Sequence, residues 1–494
     1  MDGHTANQSV IADEEPVVVV GGDAAGMSAA SKLKRERPDR DVIVFEKGEW
    51  VSYGACGLPY YVKGDVESLD DLVSIPPEKF RSERGIDLRT NHEVIEIGLD
   101  DRTVTVEPRG GDDTETFVQP FGELLVATGA RAVEPPFSGM DLDGVFTLHE
   151  MDTARQIRAY LGLETGDEPD HDAVAIVGGG YVGIEMAEAF AHHGLEVHLF
   201  EMLPHVLQPF GSDAAKVVED HLREQGIRLH LNTGVDGFLP RSAVETDDGD
   251  ADNGTGDDEA IGAVESGEDR FPVDLALVGV GVVPNVEIAE EAGIETGPTG
   301  AIATDEYGET TVEGVYAAGD CAEARHVVTG EPDHVPLALT ANRAGRAIGS
   351  TLAGDPTPVG EIAGTAVLKA FDLEVARTGV IDPERARSSG FDPVSVTISA
   401  PSRAHYYPGG AELQVTLVGD ATTNRVLGAS IVGEEGAAKR IDTVATALAA
   451  ELSVPVLETL DLAYAPPFSP VWDPILTAAK VLNGKLDEPN RESE

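Results

Sequence analysis

The sequence VAIVGGGYVG, at residues 174–183, decides the fold that we predict for this chain. Four apolar residues typical of a buried strand lead into Gly178, Gly180 and Gly183 at the spacing G-x-G-x-x-G, and residues 184–193 favour a helix. In such a unit the pyrophosphate of a dinucleotide lies against the helix N-terminus, where backbone N–H groups bind it. The stretch therefore predicts a dinucleotide-binding domain built on a parallel sheet.

An acidic residue completes this unit. Residues 197–201 are typical of the next strand, and they end at Glu201, where an adenosine ribose needs a hydrogen-bond acceptor. A carboxylate accepts hydrogen bonds from a free 2′-hydroxyl and repels a 2′-phosphate. We therefore expect NADH to be favoured over NADPH.

A second unit of the same kind lies earlier in the chain. Valines at 17–20 lead into a glycine-rich turn at 21–26 and then into a helical stretch, although Asp23 replaces the second glycine. A following strand restores the match because it ends at Glu46, 20 residues after Gly26. Two units imply two dinucleotides, and we expect FAD in the first and NADH in the second.

Composition narrows the class of protein. The chain has 494 residues, enough for two or three domains. No apolar run approaches the roughly 20 residues of a membrane span, and no signal-peptide pattern opens the chain, so we expect a cytoplasmic protein. Cys56 and Cys321 are too few for a disulfide framework or a thiolate metal site, and we expect no metal.

The net charge is extreme. The chain carries 89 acidic and 35 basic residues, which gives a formal charge of −54. Such a surface repels nucleic acid and anionic membranes, so we expect neither as a partner. The acidic residues are spread along the chain rather than gathered to dock a basic partner. Because about 1 M salt shortens the Debye length to about 3 Å, we predict a protein adapted to high salt.

Basic residues cluster against this background in the first helical stretch. An ordinary solvated helix face is one interpretation, and a site for a phosphate-bearing substrate is the other. The scarcity of basic residues elsewhere favours the second. The cluster comprises Lys32, Lys34, Arg35, Arg37 and Arg40.

The segment SYGACGLPYY, at residues 52–61, places Cys56 just before a predicted helix start. Pro59 suits the first turn of a helix, and Gly57 permits close backbone approach. The positive end of the helix dipole would favour a Cys56 thiolate, a nucleophile or redox sulfur. An inert buried cysteine is the alternative from this segment alone. Cys321 is expected to pack beside a cofactor.

Several motifs together resemble the FAD-dependent pyridine nucleotide disulfide oxidoreductases across about residues 16–484. The closest resemblance is to the single-cysteine branch, which contains coenzyme A disulfide reductase, NADH oxidase and NADH peroxidase. The motifs are the two glycine turns, Ala127-Thr128-Gly129, Gly319-Asp320, residues 52–60 and residues 463–474.

The resemblance implies an α/β fold with two Rossmann-like dinucleotide-binding domains, for FAD and NAD, and a C-terminal α+β dimerisation domain. It also implies a homodimer in which the partner subunit completes each active site. The expected domain plan is a disordered acidic tail at 1–15, the FAD-binding domain at 16–153 and 284–358, the NAD(P)H-binding domain at 154–283 with a solvated acidic insertion at 241–270, the dimerisation domain at 363–484 and a disordered tail at 485–494.

The family pattern also implies the site residues. Tightly bound FAD would be held by Gly22, Ala24, Gly26, Glu46, Lys47, Val94, Thr128 and Asp320. NAD(P)H would be held by Gly178, Gly180, Tyr181, Gly183, Glu185, Glu201 and Gly281. Coenzyme A would contact Lys32, Arg35 and Ser52. The catalytic residues would be Cys56, Tyr464 and Tyr406, with Tyr407 as the less favoured alternative to Tyr406.

The missing second cysteine narrows the chemistry. Much of the larger family shuttles electrons through an internal disulfide, but positions 51 and 61 here are valine and tyrosine. Cys56 must therefore cycle with an external sulfur as a mixed disulfide, or with oxygen as a sulfenic acid. The oxygen-reducing members have a histidine in the first glycine turn, and this turn has none. Reductases often have asparagine before the cysteine, whereas this chain has Ala55.

We therefore predict an enzyme that passes hydride from NADH through FAD to Cys56 and reduces coenzyme A disulfide through a Cys56 mixed disulfide. The alternatives are an NADH oxidase or peroxidase that uses a Cys56 sulfenic acid, and a coenzyme A persulfide or polysulfide reductase. A reductase that serves a small iron-sulfur or rubredoxin partner is a further alternative, in which Cys56 would be dispensable.

Overall fold

The structure is a computed structural model that describes residues 15–110, 115–163, 171–244 and 259–491. Nearly all of the predicted tail at 1–15 and the centre of the predicted insertion lie outside these residues. Within the described part, no helix has the length and apolar character that crossing a membrane requires.

The first domain is built on a five-stranded parallel sheet whose central strands consist mostly of buried apolar residues. Helix Ala24–Glu36 follows the first strand and packs closely on helix Ala338–Leu352, where Gly345 lies against the backbone of Ala25. One strand comes from far along the chain, so two separate segments form the domain. In sheet order the strands are Val315–Ala317, Glu123–Val126, Val17–Val20, Val42–Phe45 and Asp87–Arg89.

The second domain repeats this design. Its five-stranded parallel sheet carries helix Tyr181–His192 after the central strand, and helix Ser212–Glu224 covers the same core. In sheet order the strands are Arg228–Leu231, Glu196–Glu201, Ala173–Val177, Leu275–Val278 and Val145–Thr147.

The acidic insertion predicted at 241–270 is shorter in the structure. Helix Arg241–Val244 is followed, after the undescribed residues 245–258, by strands Ile261–Ser266 and Asp269–Pro272, which pair with Gly237–Pro240. Ile261 and Val264 are fully buried against the second domain. The prediction that the insertion is solvated through residue 270 was wrong because the acidic side chains obscured these alternating apolar positions.

The third domain is a five-stranded antiparallel sheet covered by helices. Its strands, in sheet order, are Ala366–Ala370, Leu373–Gly379, Val426–Gly433, Glu412–Asp420 and Pro393–Pro401. Its helices are Pro383–Ser388, Ala437–Ala449, Val454–Glu458 and Pro474–Arg491. The tail predicted at 485–494 is wrong through residue 491, since burial of Leu486 continues the last helix. The predicted fold class is confirmed.

The remaining elements connect these sheets. The strands are His92–Gly98, Thr103–Pro108, Phe117–Pro120, Ala130–Ala132, Val282–Pro284, Ala324–Arg325 and Pro332–Asp333. The α-helices are Leu58–Lys63, Pro77–Arg84, Met151–Tyr160 and Glu287–Glu291, and the 3-10 turns are Ala55–Gly57, Leu69–Leu72 and Gln208–Phe210.

The three domains meet at one buried carboxylate, that of Glu188. It accepts hydrogen bonds from Lys63 Nζ of the first domain at 2.9 Å, and from Lys369 Nζ and the Phe371 backbone N–H of the third, both at 2.8 Å. Burial raises the pKa of this carboxyl, but the bonds from Lys369 and Lys63 hold it below its ordinary value. Glu188 lies on helix Tyr181–His192 and so joins the second domain to both others.

Candidate functional site

The two glycine turns have the same packing. A side chain at Gly26 would overlap the carbonyl oxygen of Gly21, and one at Gly183 would overlap that of Gly178. Each helix therefore starts directly against its preceding strand, which only glycine at these positions permits.

Both helix N-termini have the features that a dinucleotide pyrophosphate requires. Asp23, the N-cap residue of the first helix, forms no capping hydrogen bond through its side chain, and Gly180, the N-cap residue of the second, has no side chain. A Cβ atom on Gly180 would meet no described atom within 4 Å. The open backbone N–H groups and the positive helix ends fit the phosphates of FAD and NAD(P)H.

The two predicted ribose acceptors occupy matching positions. Glu46 accepts hydrogen bonds from the N–H groups of Gly22 at 2.7 Å and Gly48 at 2.8 Å. Glu201 accepts equivalent bonds from Gly179 at 2.8 Å and Leu203 at 2.9 Å. Both carboxylates are thus held at the strand ends beside their glycine turns. Burial raises the pKa of Glu46.

Thr128 and Asp320 lie at strand ends of the same first-domain sheet. The Thr128 hydroxyl donates to the carbonyl of Asn285 at 2.6 Å, and the Asn285 amide donates back to the Thr128 carbonyl at 2.9 Å. His334 Nε2 donates to the Asp320 carbonyl at 2.8 Å. Burial raises the pKa of the Asp320 carboxyl. Asn285 and His334 were not predicted, since their contacts join distant segments.

The side chains of two predicted FAD-binding residues, Val94 and Lys47, give weaker support for a contact with the cofactor. Val94 packs in the first-domain core and is 5% exposed, so its side chain is buried. Lys47 is half exposed, with its ammonium group 3.5 Å from Glu150.

The predicted NAD(P)H residues include two with further contacts. Arg377 of the third domain donates to the hydroxyl of Tyr181 at 3.1 Å. Gly281 has a φ of +119° and accepts a hydrogen bond from Val133 N at 3.0 Å. The positive φ explains why glycine stands at 281.

The Cys56 segment is anchored to the first glycine turn. Ser52 has a left-handed φ of +52°, and its N–H donates to Gly22 O at 3.1 Å. The Tyr53 N–H donates to the Asp23 carboxylate at 3.0 Å. Helix Leu58–Lys63 begins next to Pro59, as predicted, and Cys56 lies in the 3-10 turn before it. The fold thus brings Cys56 to the turn predicted to hold FAD.

The expectation that the surroundings of Cys56 favour its thiolate was wrong, because desolvation and nearby negative charges oppose ionisation of the thiol. Cys56 is exposed at the surface of the protomer, yet the surrounding protein atoms desolvate its thiol, and the carboxylates of Glu185 and Asp320 face it. Desolvation first, and then these charges, raise the pKa of Cys56. The following helix has only six residues, so its dipole is weak against two carboxylates.

The second cysteine is enclosed. Cys321 is fully buried, with its sulfur 3.4 Å from the Ala318 carbonyl and 3.5 Å from that of Val126. Both cysteines are free thiols.

The predicted coenzyme A residues are not joined to each other. Lys32 pairs with Glu36, Arg35 is exposed, and Ser52 lies on the Cys56 segment. No hydrogen bond links these three in the described ranges. In the same basic cluster, Arg40 is buried and pairs with Glu123, which gives it a structural role.

Tyr406 and Tyr464 are brought together. Their hydroxyl oxygens lie 2.9 Å apart at the exposed surface of the third domain. Tyr407 instead lies under the guanidinium of Arg403. The hydrogen bond that Tyr464 shares with Tyr406 raises the pKa of Tyr464. The aromatic side chains of Phe468 and Trp472 are also exposed on this domain.

The sequence did not predict one contact beside Cys56. The hydroxyl of Tyr60 donates to Glu185 Oε1 at 3.1 Å across the boundary between the first two domains. Burial raises the pKa of Glu185 to about 7. In the sequence, the four-residue spacing from Cys56 to Tyr60 was the one feature that could have drawn attention to this contact.

Comparisons with known proteins agree with this site. A family model described as pyridine nucleotide-disulphide oxidoreductase matches residues 15–345, and its dimerisation-domain model matches 365–474. A coenzyme A polysulfide/persulfide reductase from Pyrococcus horikoshii is 40% identical over 95% of this chain and 98% of the relative. Coenzyme A disulfide reductase from Staphylococcus aureus is 31% identical over 92% of this chain and 96% of the relative. A solved NAD-dependent persulfide reductase from A. fulgidus matches with a TM-score of 0.87 and 36% identity, covering 96% of this chain and 84% of that one.

Proposed function

The chain belongs to the pyridine nucleotide-disulphide oxidoreductase family, and we propose that it reduces coenzyme A disulfide through its single redox cysteine, Cys56. The enzyme class is that of an FAD-dependent NAD(P)H:disulfide or persulfide oxidoreductase linked to coenzyme A. The substrate and the roles of the individual residues are the content of the proposal.

The observation that carries the proposal is the contrast between the two cysteines. Cys56 is exposed beside the FAD-binding turn, while Cys321 is fully enclosed. Cys56 therefore has no thiol partner within the described chain, which supports a mixed disulfide with a sulfur from outside.

The reaction needs two steps, a thiol–disulfide exchange and a two-electron reduction. The Cys56 thiolate attacks one sulfur of coenzyme A disulfide, so a Cys56–S–S–CoA bond forms, the original S–S bond breaks and one coenzyme A thiolate leaves. The electron pair that then releases the second coenzyme A comes from NAD(P)H by way of the flavin, which is the chemistry that bound FAD supplies. One NADH and one proton yield two coenzyme A thiols.

The tyrosine pair supports the protonation step. Tyr464 and Tyr406 share a hydrogen bond at an exposed surface, where they are available to a second copy of the chain. In a homodimer the pair would face the partner's Cys56 and donate a proton to the departing thiolate. The exposed aromatic residues Phe468 and Trp472 of the third domain, together with the dimerisation-domain match, support this homodimer.

The cofactor assignment follows the geometry of the two turns. The carboxylates of Glu46 and Glu201 would accept hydrogen bonds from the two ribose rings. The helix N-termini beside Gly22 and Gly180 would hold the pyrophosphates. The carboxylate of Glu201 supports NADH as the favoured electron donor.

Coenzyme A persulfide is the second candidate substrate. It is favoured because the persulfide-reducing relative is more similar in sequence than the disulfide-reducing one. In that case Cys56 would take the terminal sulfur, coenzyme A thiol would leave, and reduction would release hydrogen sulfide.

The test is anaerobic turnover of the FAD-loaded enzyme with NADH and either substrate. We expect Cys56→Ser to abolish turnover and to retain FAD, while Cys321→Ser, at the enclosed thiol, serves as the matched control. Two coenzyme A thiols per NADH would identify the disulfide, and hydrogen sulfide release would identify the persulfide. Full turnover by Cys56→Ser would refute the role of Cys56.

A further inference from the structure

Two helices face each other beside Cys56. Helix Leu58–Lys63 follows the cysteine, and helix Tyr181–His192 begins at the second glycine turn. Tyr60 donates to Glu185 at 3.1 Å, and Lys63 donates to Glu188 at 2.9 Å. The partners are three residues apart on each helix, so two consecutive contacts join neighbouring turns.

The two contacts differ in charge. Glu188 is paired with two lysines, Lys63 and Lys369. Glu185 has the neutral hydroxyl of Tyr60 as its partner, and no lysine or arginine forms an ion pair with it among the residues described. A carboxylate without a cation is easier to protonate than a paired one.

Cys56 lies within reach of the Glu185 charge. Cys56 lies in the 3-10 turn Ala55–Gly57 directly before the helix that carries Tyr60, and Tyr60 bonds Glu185 directly. The other charged groups that act on Cys56 are the carboxyls of Asp320 and Asp23, and the charge that acts on Glu185 is that of Glu188. All of these charges are negative, so none offsets the effect of Glu185 on the thiol.

Resting on the proposed role of Cys56 as the redox sulfur, we propose that Glu185, held by Tyr60, is a positioning residue that governs the ionisation of Cys56. While the carboxylate is charged, it opposes the thiolate. When the carboxyl takes up a proton, the opposition ends and Cys56 ionises more readily. The link is electrostatic and operates through the Tyr60 hydrogen bond that fixes the carboxyl in place.

The titration range of Glu185 suits this role. Its carboxyl has a pKa of about 7, so it is charged over the higher pH range in which Cys56, whose own pKa is raised, loses its proton. The carboxylate therefore opposes the thiolate across that range.

The experiment measures alkylation of Cys56 by iodoacetamide in the FAD-loaded enzyme, from pH 5.5 to 9.5 at constant KCl. We expect Glu185→Gln to lower the midpoint of the alkylation profile by about 0.5 to 1 pH unit, which is a roughly three- to tenfold faster reaction at pH 7.5. Glu224→Gln, an exposed residue of the same domain, makes the same change in net charge and should leave the midpoint unchanged.

A second variant protects the test against loss of folding. Tyr60→Phe removes the hydrogen bond that lowers the pKa of Glu185, so the midpoint should fall in the same direction by a smaller amount. An unchanged midpoint in either folded variant, or an equal shift in Glu224→Gln, would overturn the proposal. Because alkylation needs no turnover, this outcome is distinct from failure of the Cys56→Ser test.

Discussion

The hydroxyl oxygens of Tyr406 and Tyr464 lie 2.9 Å apart, although 58 residues separate them in sequence. The pair stands exposed on the third domain, which matches the dimerisation domain of the family. Because each hydroxyl orients the other, one of them always has a proton available to donate.

We expect Tyr464→Phe and Tyr406→Phe each to lower kcat for disulfide reduction by roughly 10- to 100-fold, since a general acid contributes about this much or more. The double variant should lose little beyond either single one, because the two act as a unit. Tyr407→Phe is the matched control. Steady-state kinetics measure the change, and full activity in both single variants would contradict the assignment.

Alanine substitutions at Gly183 and Gly180 of the second glycine turn should have different effects. Gly183→Ala forces a methyl group onto the Gly178 carbonyl, so we expect unfolding stability to fall by about 1–3 kcal/mol. Gly180→Ala meets no described atom and should leave Tm unchanged while weakening NADH binding. Thermal unfolding and NADH titration separate the two effects, and tight NADH binding by Gly180→Ala would disprove the pyrophosphate position.

Cofactor preference can be tested at Glu201. Replacing it with alanine removes the negative charge that would repel a 2′-phosphate, so we expect the NADH to NADPH ratio of kcat/KM to fall about tenfold. Glu196→Gln, at the other end of the same strand, is the control. An unaltered ratio in Glu201→Ala would place the discrimination elsewhere.

Asp23 provides a prediction of pH dependence. Burial raises the pKa of the Asp23 carboxyl to about 6. The charges of Glu46 and Asp320 act in the same direction, and the hydrogen bond from Tyr53 opposes them. A carboxyl with a raised folded-state pKa favours folding at low pH, and this contribution is lost as the pH rises from about 4 through 6. Asp23→Asn should therefore raise Tm by a few degrees above pH 6 and change it little near pH 4. A constant difference across this range would contradict the expectation.

Salt dependence tests the adaptation that the charge of −54 predicts. We expect Tm to rise from low to multimolar KCl because screening relieves repulsion between surface carboxylates. Thermal unfolding at constant pH measures this, with NaCl as a check on ion identity. A flat or falling Tm would show that the acidic surface serves another purpose.

The parts of this protein that could be predicted from sequence are local units. Each glycine turn with its acid spans fewer than 35 residues, and the residue types are fixed by close packing and ribose geometry. The third domain was expected at 363–484 from the family resemblance, and its antiparallel sheet lies within that range.

Contacts between distant segments could not be predicted in the same way. Tyr60 and Glu185 are 125 residues apart, and nothing in either local pattern indicates the other. The ionisation of Cys56 was misjudged for the same reason: the helix start is visible in sequence, whereas the carboxylates facing the sulfur come from other strands and helices.

The buried carboxylate of Glu188 will respond to salt differently from the surface. Screening weakens ion pairs in contact with solvent, but it reaches a pair this enclosed far less. Molar salt would relax repulsion over the outside of the molecule while the enclosed ion pair between Lys63 and Glu188 keeps its strength. The contact between helix Leu58–Lys63 and helix Tyr181–His192 would therefore persist from dilute buffer to molar salt.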